Sequence, residues 1–183
     1  MRIIAGKNKS RKLNTLEGLN TRPMTDRMKE SVFNTVGPYF DGDVVLDLFG
    51  GSGALSLESL SRGASFAYIV EKSYAAVKVI NSNISALKEE INTRVLNVDY
   101  KVALNKFIAE GTKFDIIFLD PPFRLKVIDE LIIYIIENDL LADGGYIVAE
   151  YPKEDVVQKD YEGYKVKLCR RYSSSEVLIL EKE

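Results

Sequence analysis

Apolar runs of strand length recur five times along the 183-residue chain, and stretches with helical spacing separate them. The runs are residues 44–49 (VVLDLF), 66–71 (FAYIVE), 94–99 (RVLNVD), 114–120 (FDIIFLD) and 146–151 (YIVAEY). Helical patterns lie between them at 54–62, 73–88, about 100–109 and 129–138. Such alternation specifies a mostly parallel sheet with helices on both faces, because a parallel connection has to cross back over the sheet. The runs are almost continuously apolar, as strands buried on both sides must be. After the fifth run, residues 165–172 and 176–183 flank Ser173-Ser174-Ser175 and read as a hairpin. The expected fold is therefore α/β and Rossmann-like, with seven strands and an antiparallel terminal pair.

Ahead of this core, residues 2–6 (RIIAG) and 11–15 (RKLNT) read as two short strand-like pieces joined by the turn-prone Lys7-Asn8-Lys9-Ser10. A helix is expected from Thr25 to Val36, with Met28, Val32, Phe33 and Val36 on one face, Thr25 as its cap and Gly37-Pro38 at its end. This divides the chain into a basic N-terminal hairpin arm, residues 1–22, and a main domain, residues 23–183. Charge follows the same division. Residues 1–29 carry eight Lys or Arg against Glu17 and Asp26, a net of +6, and the remainder carries −8. A basic arm on an acidic body points to a polyanionic partner.

The chain has no His and one Cys, Cys169. Histidine acid–base chemistry, Ser-His-Asp triads, a Cys/His zinc site and an internal disulfide are thereby excluded by count. No metal is expected. Cys169 lies in the tail without a preceding proline, so it is read as a buried structural thiol rather than a nucleophile. No signal-peptide run or membrane-length apolar stretch occurs, and the expectation is a cytoplasmic monomer without membrane contact.

In doubly wound sheets, ligands bind beyond the carboxyl ends of the strands. Four such ends carry acids: Asp47, Glu71, Asp99 and Asp120. Burying carboxylates is costly unless something binds them. After Asp47 the chain runs Phe49-Gly50-Gly51-Ser52-Gly53, a glycine turn that lets a ligand approach the backbone at a helix start. A dinucleotide pyrophosphate would suffer from Asp47, whereas a cationic ligand without phosphates would gain from it. S-adenosylmethionine has a sulfonium and a zwitterionic amino acid end, and fits. Glu71 would then take the ribose hydroxyls and Asp99 the adenine amine.

The fourth run ends in Asp120-Pro121-Pro122-Phe123. This resembles the Asp/Asn-Pro-Pro-aromatic signature of methyltransferases acting on amino nitrogens. An exocyclic nucleobase amine is a poor nucleophile because its lone pair is delocalised into the ring. Asp120 and the Pro121 carbonyl can accept its N–H bonds and localise that pair. The prolines fix the carbonyl without offering a competing donor, and Phe123 offers a face on which a flipped-out base can stack.

The resemblance extends further. Residues 2–7 (RIIAGK), Arg22-Pro23-x-x-x-Arg27 ahead of Val32-Phe33-Asn34, and DLFGGSGALSLESLSRGA at 47–64 are similar to the RsmD family. These are bacterial methyltransferases that modify the 2-amino group of one guanine in small-subunit (16S) rRNA. The resemblance implies a class I S-adenosylmethionine-dependent fold acting on 16S rRNA or the small subunit. It implies donor binding by Asp47, Gly51, Gly53, Glu71 and Asp99, with Phe49, Gly50, Lys72 and Asp120 around the same site. Catalysis falls to Asp120, Pro121, Pro122 and Phe123, and RNA contact to Arg2, Lys7, Lys9, Arg11, Lys12 and Arg22. Two departures stand out: Lys72 where the family often has Asp, and Tyr172-Ser173-Ser174-Ser175 in place of a Tyr-Gly-acid-Thr turn. The rivals are an adenine-N6 methyltransferase, which lacks a separate target-recognition domain here, and an RNA-binding assembly module with a vestigial fold. A dinucleotide oxidoreductase is disfavoured by Asp47.

Overall fold

The structure is a computed structural model, and it describes residues 1–16 and 23–183. A seven-stranded sheet has the order β3-β2-β1-β4-β5-β7-β6. Its strands are β1 (Val44–Asp47), β2 (Phe66–Val70), β3 (Thr93–Leu96), β4 (Phe114–Leu119), β5 (Leu141–Pro152), β6 (Tyr164–Arg171) and β7 (Ser175–Lys182). The first five are parallel, and β7 pairs antiparallel with both β5 and β6. The helices are α1 (Asp26–Val36), α2 (Ala54–Ser61), α3 (Tyr74–Leu87), α4 (Tyr100–Glu110) and α5 (Ile128–Glu137).

Two apolar layers cover the sheet. Val45, Ile116, Phe118, Val148, Val177 and Ile179 meet α1, α2 and α3 on one face. Leu46, Ile117, Leu119, Ile147, Ala149 and Leu178 meet α4 and α5 on the other. Strand side chains alternate between faces. Continuing the first set past each carboxyl end therefore directs Asp47, Asp120 and Glu150 to the α1/α2 side. The topological switch falls between β1 and β4, where Asp47 is in register with Phe118.

Helix α1 begins where expected: the Thr25 side chain accepts from Met28 N, and Gly37 closes it at φ 130°. Met28, Val32, Phe33 and Val36 are buried, with Phe33 5.9 Å from Phe118.

The N-terminal pieces close the expected hairpin, but through a single bridge. They form no two-stranded ladder. One antiparallel bridge, Arg2 to Lys12, closes the loop, with Ile3 N donating to Arg11 O and Leu13 N to Met1 O. Lys9 N, Ser10 N and Arg11 N donate within the turn, to Gly6 O, Ile3 O and Asn8 O, and other donors turn to the body. Ile4 N and Ala5 N donate to the Glu58 carboxylate at 2.8 and 3.1 Å, and Lys7 N to Ser61 O. Ile3 and Leu13 lie in the core. The hairpin is thus docked on the body, because the backbone donors it does not satisfy internally are taken by α2 and α3.

Cys169 departs from expectation. It is exposed, because β6 is the outer edge of the sheet, and its Sγ lies 3.2 Å from Glu176 Oε1.

Candidate active site

The glycine turn after β1 is shaped by packing on one side and is open on the other. A side chain on Gly50 would meet Ile69 Cγ2 at 2.5 Å, so Gly50 is required for close contact with β2. Gly51 has φ +57°, and a Cβ there would meet nothing within 4 Å, so the turn faces open space at that residue. Gly53 caps α2 in the left-handed region. Asn83 on α3 secures the loop: its Nδ2 donates to Ser52 O and to Asn14 O, both at 2.9 Å, and its Oδ1 accepts from Asn14 N. The glycine turn, α3 and the N-terminal segment are thereby joined through one buried amide. Nothing in the sequence pattern marked Asn83.

Asp47 is 1% exposed. Its Oδ2 accepts from Ser56 Oγ at 3.3 Å, while Oδ1 is buried with no hydrogen-bond partner among the described residues. Burial pushes its pKa up to about 7, against hydrogen bonds from Phe49 N and Ser56 and with the Glu71 charge adding to the rise. A desolvated carboxylate with one oxygen left unpaired, beside an open glycine turn, suits a cationic ligand.

Glu71, beyond β2, accepts from Gly51 N at 3.0 Å and from Ser73 N at 2.7 Å, one amide per oxygen. Each oxygen keeps a lone pair for a hydroxyl. Asp99 caps α4 through Lys101 N, and its other oxygen takes the Lys72 ammonium at 3.2 Å. The Lys101 amide is the chief cause holding Asp99 below the usual carboxylate range, opposed by partial burial and helped by Lys72. Lys72 therefore reaches the site as the partner of Asp99. Phe49 stacks at a tilt on Tyr100, ring centroids 5.2 Å apart.

The Asp120-Pro121-Pro122-Phe123 segment caps β4. Pro122 O accepts from Leu125 N, closing a short turn that holds the half-buried Phe123. Asp120 is pushed well above the ordinary carboxylate range, chiefly by burial and then by the charges of Glu150 and Asp47. Glu150 was not singled out by sequence reasoning, since within YIVAEY it looked like one polar residue of a strand. It is 5% exposed, follows Ala149, the partner of Leu119, and accepts from Ser175 Oγ at 2.7 Å. A cleft of about 330 Å³ reaches the motif from the α5 side, lined by Pro121, Pro122, Phe123, Glu150, Tyr151 and Pro152 among others.

Of the expected RNA contacts, Arg2, Lys7, Lys9, Arg11 and Lys12 are exposed on the docked segment. Arg2 pairs with Asp26, Lys7 with Glu89, and Arg11 donates to Ala86 O. Arg22 lies outside the described residues. No cluster of His, Cys, Asp and Glu suited to a metal ion occurs among the described residues, and no helix among them is long and apolar enough to cross a membrane.

Strand order, switch point and the acids at the strand ends define a class I, Rossmann-like S-adenosylmethionine-dependent methyltransferase fold. Within that class the chain belongs to the RsmD family, described as conserved hypothetical protein 95, which matches residues 1–181. The Bacillus subtilis protein YlbH is 42% identical over 154 residues, covering 84% of both chains. Ribosomal RNA small subunit methyltransferase D of Escherichia coli is 38% identical over 155 residues, covering 85% of this chain and 76% of the relative. The solved structure of the Escherichia coli protein yhhF superposes with a TM-score of 0.84 at 33% identity, covering 100% of this chain and 98% of that one.

Proposed function

We propose that this protein transfers a methyl group from S-adenosylmethionine to the exocyclic N2 of a guanine in small-subunit rRNA. The observation that carries the reading is the position of Asp120-Pro121-Pro122-Phe123 at the end of β4, one strand from Asp47, with its unpaired oxygen, and the open glycine turn. The names of the family's rRNA-modifying relatives support an rRNA substrate.

The bound donor supplies an electrophilic methyl on a positively charged sulfur. Asp47 offers its unpaired oxygen to the cationic end of the donor, and Gly51 leaves room for it. Glu71 accepts the ribose hydroxyls with the lone pairs its two amides leave free. Asp99 takes the adenine amine when the mostly exposed Lys72 swings away. Asp120 and the Pro121 carbonyl accept the two N–H bonds of the target amine, which turns its lone pair toward the donor. As the C–N bond forms and the C–S bond breaks, the amine nitrogen becomes positive. Its proton then passes to Asp120 and on to solvent, and Phe123 stacks on the base throughout. Preorganised acceptors aimed at developing charge supply most of such a rate enhancement.

The test is incubation with labelled methyl donor and unmodified small subunits or total RNA, followed by nucleoside analysis. N2-methylguanosine in small-subunit rRNA is expected, and N6-methyladenine would overturn the reading.

A further inference from the structure

An exocyclic amine alone does not identify guanine, because adenine and cytosine carry one too, and Asp120 with the Pro121 carbonyl would accept from any of them. A second acceptor has to read the neighbouring ring position. Guanine presents N1–H beside its 2-amine, two donors side by side. Adenine presents an amine beside N1, a donor beside an acceptor. A carboxylate next to Asp120 welcomes the first edge and repels the second.

The sheet restricts where such a group can stand. The donor side of Asp120 is β1, with Asp47 and the glycine turn, so the ring attached to the target amine extends the other way, toward β5. What stands there is Glu150. It follows the last paired rung of β4 and β5, Leu119 with Ala149, and so lies opposite Asp120. Val148 and Phe118 both belong to the α1-side core, which directs Glu150 and Asp120 to the same side of the sheet. Glu150 is 5% exposed, and it also borders the α5-side cleft of Pro121, Pro122 and Phe123, whose lining does not include Asp120. Ser175, 2% exposed, donates to its Oε1 at 2.7 Å. That serine closes the Tyr172-Ser173-Ser174-Ser175 turn, the tail segment that departs from the family pattern. A strand-end carboxylate held by a buried hydroxyl is preorganised as an acceptor.

We propose that Glu150 is the specificity-determining residue of the acceptor site, accepting N1–H of the target guanine while Asp120 accepts from its 2-amine. Ser175 is a positioning residue that holds Glu150 in that orientation. This inference rests on the guanine-N2 reading above. The charge that Glu150 imposes on Asp120 agrees with the closeness the argument needs.

The test uses small-subunit rRNA in which the guanosine methylated by the wild-type protein has been located and then replaced by 2-aminopurine riboside. That base keeps the 2-amine, exchanges N1–H for a lone pair and lacks the 6-oxygen, so the change in preference between variants, not the preference alone, reports on Glu150. Wild type should prefer guanosine by about a hundredfold in kcat/KM, the discrimination of one well-made polar pair. Glu150→Gln can still accept N1–H through its amide oxygen, and can donate to the lone pair of 2-aminopurine through its amide nitrogen. It should therefore retain most activity on guanosine and compress the preference at least tenfold. Ser175→Ala should compress it severalfold. Donor affinity and thermal unfolding, measured on the same samples, should stay close to wild type. Parallel loss on both RNAs with an unchanged ratio means that Glu150 is structural, and overturns the inference. So does a wild-type protein that methylates both RNAs equally well, a result that needs no variant to fold. A wild type that methylates no guanosine of small-subunit rRNA, so that none can be located, overturns the function itself, and this inference with it.

Discussion

A carboxylate ordinarily ionises near pH 4, and Asp47 is held at about 7 because folding removes it from water. Between 3.8 and about 7 the folded protein binds more protons at this residue than the unfolded chain does, so its contribution to stability is lost as pH rises through that window. Asp47→Asn should therefore make the donor-free protein more stable above pH 7, which urea titration measures. The same change should weaken S-adenosylmethionine binding ten- to a hundredfold, since it removes a charge-assisted contact. For wild type, donor affinity should rise with pH and level off above about 7, with proton release visible when calorimetry is run in buffers of different ionisation enthalpy. Unchanged affinity in the variant would remove Asp47 from the donor site. Asp120 gives the complementary case: Asp120→Ala should leave donor binding near wild type and depress turnover at least a hundredfold, the scale of a lost transition-state contact. Asp120 could be found in the sequence because it terminates an apolar run, and Asp47 because it interrupts one just ahead of the glycine turn. Glu150 could not, because β5 continues past it to Pro152 and the functional position is a register neighbour of Asp120 rather than a strand terminus.

The strands and helices were legible from periodicity because each carries its own signal, down to the Thr25 cap and the burial of Met28, Val32, Phe33 and Val36. What was not legible is how the N-terminal segment attaches, since that depends on partners far along the chain. Glu58 looks like a solvent residue of a helix, yet it is fully buried, with Arg62 at 2.8 Å, the Lys29 ammonium at 3.9 Å and the Ile4 and Ala5 amides on its oxygens. Burial, first of all, lowers the pKa of Lys29, and Glu58 opposes that shift. Breaking a buried ionic network from one side leaves the partners uncompensated, typically at about 3–5 kcal/mol. Glu58→Ala should destabilise the protein on that order in urea. Part of the deficit should be recovered as pH rises toward 10.5, because the folded state then holds fewer protons on Lys29 than the unfolded chain does. A loss under 1 kcal/mol would mean that α2 does not anchor the segment.

Charge is distributed over the molecule so that the basic residues of the first segment sit on a docked segment, with Lys7 and Arg11 held at the C-terminal ends of α2 and α3, not on a freely swinging arm. The segment lies along α2 and α3, and Asn83 ties its Asn14 to Ser52 of the glycine turn. The chain beyond residue 29 carries a net −8, a body that repels RNA unless a local positive surface offsets it. Deleting the segment would be a poor test, because it would uncover the core positions of Ile3 and Leu13 and leave Glu58 without its two backbone donors. Alanine at Lys9, Arg11 and Lys12 is cleaner, since all three are exposed and Arg11's hydrogen bond ends on the Ala86 carbonyl at the surface. Each phosphate contact releases condensed counterions and adds about 0.7–0.9 to the log–log salt slope. The triple variant should unfold at the wild-type temperature and bind donor normally, while its rRNA affinity at low salt falls and its salt slope flattens by about two to three units. An unchanged slope would move the polyanion surface elsewhere on the molecule. The next place to look would be the cleft between α1 and β6, lined by Arg27 and Arg170 with Glu30 beside them, where Arg170 donates to Ser31 Oγ, because it lies on the side of the sheet toward which Asp120 points.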